Sequence, residues 1–488
     1  PAADNDESGA SLAAEGRSLW LRILKRAGVA ADEARAIAAR AKVNGVALPL
    51  EAIISGATGE ERLYRELAGE LGLRFLPRIE PRRLLLGGSD SAMLLGRDRE
   101  TFGVRYEQPD GVVGLLLAPV DDGIESLRRR AGASEALRGR LNIVTPRALR
   151  AALARSAART LLQNALDRLF AMFPAQSAKI VTNGWQSVSL GAILIGLPVA
   201  LFSAPWAAGL FIHLAFSLFF LACVGLRFVT AAAAAAPTVA PLESYDPAEL
   251  PVYSVLVALY REAEIVPDLL VALGQLVWPR GKLEIKLVCE AEDDATLAAL
   301  RAHGLQSFVE IVEVPAAIPR TKPKALSYAL PMISGDFLVL YDAEDRPHPL
   351  QLIEAWQRFR GADERLACLQ APLVITNFRR GRIPRMFAFE YAALFRGLLP
   401  WLARRGLFVP LGGTSTHFRR AALEAVGAWD PFNVTEDADL GLRLARHGYR
   451  VGMITRPTYE DAPEKLGNWL PQRTRWFKGW MQTWLVHM

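Results

Sequence analysis

The spacing of hydrophobic positions changes along this chain, and each change predicts a different element. From Ser18 to about Leu73, apolar residues recur at helical intervals in SLWLRILKRAG, DEARAIAARAK and EERLYRELAGELG, with Asp32 placed to cap the second helix. The period then shortens. TFGVRY and VVGLLLAPV flank EQPDG, whose Pro and Gly suit the turn of a hairpin. LNIVTP reads as a short strand and RALRAALARSAARTLLQNALDRLF as a helix. Between Lys179 and Arg227 there is no Asp, Glu, Lys or Arg, and VSLGAILIGLPVALF and WAAGLFIHLAFSLFFLACVGL meet at SAPW. Each apolar run approaches the roughly 20 residues that cross a bilayer as helix, with a buried hairpin in a large soluble protein as the alternative. Trp185 and Trp206 stand where interfacial aromatics belong. An alanine run and LESYDPAEL form a linker, and from Leu250 onward strand-like runs alternate with helical ones. That alternation predicts a mostly parallel sheet covered by helices on both faces.

The chain has 488 residues, enough for about three domains. Its three cysteines make no disulfide framework, so the soluble parts suit a reducing compartment. A net charge of +6 is modest for this length and does not call for nucleic acid as a partner. The opening PAADNDESGASLAAEG is polar and acidic, so no signal peptide is expected there, and a first residue other than Met suggests trimming. The last residues, WLVHM, follow closely on an aromatic amphipathic stretch, and a further membrane part is expected beyond them. Arg159, Arg168 and Lys179 precede the first apolar run and Arg227 follows the second. The positive flanks place both ends of the hairpin in the cytoplasm.

FLVLYDAEDRPHP, residues 337–349, holds the first candidate chemistry. A buried strand runs straight into Asp342, Glu344 and Asp345. Such carboxylates resist joint ionisation unless a cation or hydrogen-bond donors hold them. A solvated turn that caps the next helix is the plain alternative. In open sheets, however, ligands bind beyond the carboxyl ends of strands, which is where this cluster falls. In a strict strand Asp342 and Glu344 would share a face. A second acidic group, Glu290, Glu292, Asp293 and Asp294, ends LVCEAEDDAT, and at least two of these four read as solvated loop residues. No GxxxxGK[ST] loop is present, which excludes a nucleoside-triphosphatase of that type.

Four stretches resemble the membrane-associated family 2 glycosyltransferases over roughly residues 250–480. YSVLVALYREAEIV is similar to their first strand and turn, and TKPKALSYALPMISGDFLVLYDAED to their lysine motif and DxD strand. LGGTSTHFRRAALEAVGAWDPFNVTEDADLGLRLARHGYRV is similar to their acceptor segment with its TED motif, and QRTRW at 472–476 matches Q(Q/R)xRW. The resemblance implies an α/β fold of the GT-A type and an inverting transfer from a UDP-sugar. It implies Mg2+ or Mn2+ held among Asp342, Glu344 and Asp345, although Glu344 stands where the motif has a second Asp. Hard oxygen ligands suit either ion. Glu290, with Glu292 second, would accept from the uracil N–H, while Lys324, Asp342 and Arg475 would contact the donor. Asp437 of Thr435-Glu436-Asp437 would be the base, beside Glu436, and Trp476 and Gln472 would meet the acceptor. Helix capping is the alternative for Glu436 and Asp439, and packing within its strand is the expectation for His417.

Residues 17–158 resemble the N-terminal domain of type II secretion ATPases in their order of elements, carried by GLRFLP and LLLAPVDDGIESLRRRAG. Some members of that family bind cyclic di-GMP through paired Arg-Leu-Gly and Leu-rich motifs. NGVALPLEAIISG is the nearest stretch here and lacks the arginine, so cyclic di-GMP and a regulatory protein both stay open as partners. The expected organisation is a disordered lead at 1–16, a small α+β domain at 17–158 and a connecting helix at 159–184. Two transmembrane helices at 185–229 and a linker at 230–249 lead to a GT-A domain at 250–465 and an amphipathic interface helix at 466–488. The resemblance implies an enzyme of the bacterial inner membrane that extends a polysaccharide on the cytoplasmic face. A single transfer to a lipid acceptor and a nucleotide-sensing receptor or scaffold without turnover are the alternatives.

Overall fold

Four short helices, at 16–26, Ala31–Asn44, Leu48–Ile54 and Glu60–Leu71, open the chain in this computed structural model, which describes residues 16–96, 102–121, 124–132, 134–234 and 239–488. The expected disordered lead falls, except for Gly16, outside the described residues. The helix Glu60–Leu71 buries Leu63, Tyr64, Leu67, Ala68 and Leu71, the stripe its period predicts. Asp32 does not cap its helix; Ala30 holds that position, and Asp32 lies in the first turn, where a negative charge still favours the helix dipole. The helices cover a sheet of β1 (Arg74–Phe75), β2 (Gly103–Glu107), β3 (Val113–Leu117) and β4 (Leu141–Ile143), ordered β1-β4-β3-β2. β2 and β3 form the antiparallel hairpin, and β4 runs parallel to both of its neighbours. Tyr64 donates to Pro119 O at 2.5 Å and Trp20 to Asp121 O at 3.0 Å, which fastens the helices to the chain leaving β3.

A single helix, Pro146–Met172, crosses the expected boundary at residue 158. Its start is set by Pro146 in the first turn and by Thr145, whose hydroxyl accepts from Ala148 N at 3.1 Å. Its buried face belongs to one hydrophobic core that holds Val104 and Leu116 of the small sheet together with Leu326, Leu330 and Phe418 further on. The two regions are therefore packed as one body around this helix. The apolar pair follows as helices Gly184–Ser203 and Pro205–Ala232, both long and apolar enough to cross a membrane and with their side chains exposed. Asn183 and Gln186 close a capping box at the start of the first.

The remainder builds on β5 (Tyr253–Leu259), β6 (Leu283–Glu290), β7 (Val309–Val314), β8 (Phe337–Tyr341), β10 (Leu366–Gln370), β12 (Thr416–Arg419) and β13 (Arg450–Met453). Their order is β13-β10-β12-β8-β5-β6-β7. β8, β5, β6 and β7 are mutually parallel, and only β12 runs against its neighbours. Two-residue β9 (Arg346–Pro347), β11 (Leu373–Ile375) and β14 (Thr458–Glu460) form a small second sheet beside the end of β8. His417 is packed inside β12, as expected: Nδ1 meets the Tyr253 hydroxyl at 2.7 Å, and burial lowers its pKa to about 3.

The helix Glu436–Arg446 is pinned by a fully buried ion pair, Arg443 Nε to Asp439 Oδ2 at 2.8 Å, and Arg443 also donates to Val426 O at 2.6 Å. Removing one partner strands the other charge, whereas removing both can be nearly neutral. Arg443→Met is therefore expected to cost about 3–5 kcal/mol in unfolding free energy, and Arg443→Met with Asp439→Asn, which removes both charges and keeps an oxygen for His487, to recover part of it. Denaturant titration of the purified protein measures both; equal losses in the two variants would refute the pair's role.

Candidate functional site

β8 stops at Tyr341, so Asp342, Glu344 and Asp345 lie in the turn beyond it. The alternation expected to place Asp342 and Glu344 on one face does not apply there; the turn's own hydrogen bonds decide where each points. Asp345 is buried, and its Oδ2 accepts from Asp342 N at 2.8 Å and from the Thr414 hydroxyl. Its Oδ1 is buried with no hydrogen-bond partner among the described residues. Burial, then the Asp342 carboxylate, pushes Asp345 up to about 8. Glu344 is exposed along part of its surface yet crowded by protein, and that desolvation followed by Asp342 raises it.

Asp342 is paired with the Lys322 ammonium, which also donates to Gly413 O at 2.9 Å. Burial alone would depress Lys322, but Asp342 and Glu436 more than offset this and hold it above its usual range. Gly413 has φ +80°, a backbone that favours glycine, and a Cβ there would sit 3.0 Å from Asp437 Oδ2. Lys322 thus stands where the turn after β8 meets the start of the helix Glu436–Arg446. Glu436 and Asp437 are the first residues of that helix, and Asp437 Oδ1 accepts from Ala438 N at 2.8 Å. Burial, then Asp437, raises Glu436 to about 8. Asp437 is raised by burial only to about 6, because the Ala438 N–H and Lys322 favour its ionised form.

Sequence reasoning overlooked three members of this cluster. Lys322 is two residues before Lys324 in TKPK, and nothing in the spelling says which lysine faces the carboxylates. Glu262, just after β5, is pushed up to about 7 by burial and by Glu344, Asp342 and Asp293. Glu460, ending β14, is raised well above its usual range by burial and by Asp345, Asp342 and Glu344. Glu262 could have been found, since YREAE follows a predicted strand; Glu460 is brought in only by the fold. Among the described residues no three His, Cys, Asp or Glu side chains stand ready to close on one ion.

The remaining expected residues fall in two places. At the end of β6, Glu290 and Lys324 are buried and bonded to each other at 2.8 and 2.9 Å. Glu292 pairs instead with Arg320, which also reaches the Tyr260 hydroxyl at 3.1 Å. Asp293 takes the capping role, accepting from Thr296 N at 3.3 Å and from Arg261 N at 2.5 Å. The helix Leu466–His487 carries Gln472, Arg475 and Trp476. Trp476 packs on Phe387 with ring centroids 6.1 Å apart, Gln472 Oε1 is buried without a partner among the described residues, and Arg475 is exposed. Arg473, not Arg475, is the anchored arginine: it forks onto Glu390 at 2.7 and 2.6 Å beneath the Trp476 ring. Tyr391 stands between the last helix and the acidic cluster. Burial first, then Glu460, raises its phenol well above the usual range, and Arg473 and Asp437 act on it too.

This last helix is seated directly on the acidic helix. A Cβ at Gly479 would overlap the Thr435 side chain, Thr483 Oγ1 accepts from Asn433 Nδ2 at 3.0 Å, and His487 Nε2 meets Asp439 Oδ1 at 2.8 Å.

Residues 251–479 match the family model described as "Glycosyltransferase like family 2". The chain is 26% identical over 239 residues to "Probable glycosyltransferase YdaM" of Bacillus subtilis, a match covering 47% of this chain and 56% of that protein. It is 29% identical over 244 residues to the UDP-forming cellulose synthase catalytic subunit of Xanthomonas axonopodis, covering 48% of this chain and 32% of that one. The chain thus spans about half the length, or less, of these relatives. Among solved structures, a mannosyltransferase from Pyrobaculum calidifontis in complex with GDP-mannose and Mn2+ aligns over 60% of this chain and 74% of its own. The identity is 24% and the TM-score 0.41.

Gly479→Val is expected to push the last helix away from Thr435 at a cost of about 1–3 kcal/mol. Limited proteolysis should then cut first between Ala462 and Leu466, where the parent resists. An unchanged digestion pattern would show that this contact does not hold the helix.

Proposed function

With residues 251–479 matching the family 2 glycosyltransferase model, we propose that the chain transfers a sugar from a UDP-sugar to a growing polysaccharide, with inversion, at the cytoplasmic face of a membrane. The observation that carries this reading is the meeting of Asp342 and Asp437 around Lys322, from segments 95 residues apart in sequence. The relatives named as synthases support polysaccharide as the acceptor class. The apolar hairpin supports the membrane, and Arg159, Arg168, Lys179 and Arg227 on its flanks support a cytoplasmic site.

Asp437 takes the proton of the acceptor hydroxyl as that oxygen attacks the anomeric carbon, and the bond from that carbon to the diphosphate oxygen breaks in the same step. UDP leaves with the bonding pair. Asp437 suits this work because at about 6 it is largely ionised at neutral pH yet basic enough to accept a proton. Glu436, higher at about 8, stays mostly protonated beside it. Glu290, oriented by Lys324, receives the uracil N–H, with Glu292 beside it at the same edge. Arg475 is exposed and able to swing to the diphosphate, while Trp476 and Gln472 border the acceptor.

The donor set also suits a divalent cation. Asp342, Glu344 and Asp345 offer only hard carboxylate oxygens, and Asp345 Oδ1 has no partner among the described residues. Three nearby acids, Asp345, Glu344 and Glu262, are raised by burial and then by one another and Asp342, a state that a bound cation would relieve. Mg2+ or Mn2+ held there would neutralise charge on the departing diphosphate. Asp342, now paired with Lys322, would be shared with such an ion.

UDP release across a panel of UDP-sugars, with Mg2+ or Mn2+ and with a chelator, tests this reading. One sugar should support release, and chelation should abolish it. Products of one added sugar would favour the single-transfer reading, and no release from any donor would favour the non-catalytic one.

Asp437→Asn should lower turnover about 10²- to 10⁴-fold. In the parent, the rate should fall as pH drops through about 6, because protonation removes the base. A pH–rate profile flat across that range, or full activity in Asp437→Asn, removes Asp437 from the role.

A further inference from the structure

A cavity of about 620 Å³ lies away from the acidic cluster, between the N-terminal helices and the outer edge of the large sheet. This volume is in the range of sites for small organic ligands, which often form between domains. One wall is the segment 46–54, including Val46, Pro49, Leu50 and Ile53, and the other is the start of β6 with Leu305 and Val309. These two stretches contribute aliphatic side chains. The two aromatic residues that line it are already engaged: Arg280 lies 5.3 Å above the Phe308 ring, and Tyr64 is fixed edge-on to Trp20 and through its hydroxyl to Pro119 O.

The charges lining the cavity are unequal. Lys286 and Arg150 neutralise Glu284 and Glu310 in one buried network, with Lys286 Nζ 2.8 Å from Glu284 and 2.5 Å from Glu310. Of the other basic lining residues, Lys282 donates its ammonium to the Pro247 and Ala248 carbonyls at 3.3 and 2.7 Å, and Arg147 N donates to Glu60, the remaining carboxylate, at 3.1 Å, which leaves Arg280. Arg280 spends Nη2 on Gly274 O at 2.6 Å, while its Nη1 is buried without a hydrogen-bond partner among the described residues. A buried guanidinium nitrogen without an acceptor is costly, and an anionic oxygen is its natural complement.

We propose that this cavity binds a small organic anion with an aliphatic body, such as a medium-chain carboxylate or the acyl end of an anionic lipid. The aliphatic walls take the chain, and Arg280 takes the anionic group. The assignment does not depend on the transfer reaction, because the test reads position and competition, not turnover.

The probe is decanoate carrying a terminal diazirine, photolysed with the full chain in nanodiscs of neutral lipid and mapped by peptide mass spectrometry. Adducts are expected within residues 46–54 and 305–311. Unlabelled decanoate should displace them, and decyltrimethylammonium and UMP should not. Ile53→Trp, which fills the space, should abolish these adducts, and Arg280→Glu, which replaces the anion's partner by a like charge, should weaken labelling about tenfold or more. Displacement by free decanoate but not by vesicles of an anionic lipid assigns a free carboxylate; displacement by both assigns an acyl lipid. Adducts confined to 184–232, labelling unchanged in both variants, or displacement by UMP would each overturn the proposal.

Discussion

One ammonium group set among carboxylates organises this molecule. Lys322 bonds Asp342 and the Gly413 carbonyl, and its charge reaches Glu436 and Asp437 across the gap between two elements. Without a cation, burying so many acids together would force most of them to stay protonated. Burial is the largest cause for each of them, and the rise differs from acid to acid. Asp437, with the Ala438 N–H and Lys322 nearby, rises only to about 6, whereas Asp345, wholly buried next to Asp342, rises to about 8. Each member of the cluster thus has a different readiness to hold a proton, and Lys322 lowers both Asp437 and Glu436 against the effect of burial.

The cluster is kept in place by packing at some distance from it. Arg443 and Asp439 lock the helix that begins with Glu436 and Asp437, and His487 ties the last helix to the same aspartate. Gly479 lets the two approach closely enough that no side chain fits between them and Thr435. From there Arg473, Trp476 and Phe387 stack beside Tyr391, which feels both Glu460 and Asp437. A displacement of the last helix would therefore be felt at the acidic residues. This helix also touches the apolar hairpin, where Gln186 Nε2 donates to Leu485 O at 2.7 Å.

The N-terminal unit is joined to the large sheet by burial as well as by charge. The helix Pro146–Met172 shares one core with both, and Arg150 reaches from it to Glu310 at 3.0 Å and to Met332 O at 3.0 Å. The same face of β6 that carries Glu284 and Lys286 toward the cavity carries Glu290 toward Lys324 at its far end, because alternate residues share a face. One strand thus links the domain junction to the edge where ligands bind in open sheets.

Local pattern alone determined the alternation of strands and helices after Leu250, the hairpin of β2 and β3, the apolar pair and the turn of acids after β8. These follow from periodicity and turn chemistry, which act over a few residues and can be read in order along the chain. The sequence also isolated the carboxylates of Asp342 and Asp437, since short acidic groups at strand and helix ends stand out against apolar neighbours. It did not separate Lys322 from Lys324, Arg473 from Arg475, or Asp293 from Glu290. Each of those pairs lies within a few residues of one spelling, and what differs is the partner each side chain meets: Asp342 for Lys322, Glu390 for Arg473, and a helix N-terminus for Asp293. Only tertiary structure decides that, because those partners come from elements brought together by the sheet order and by the packing of the last helix.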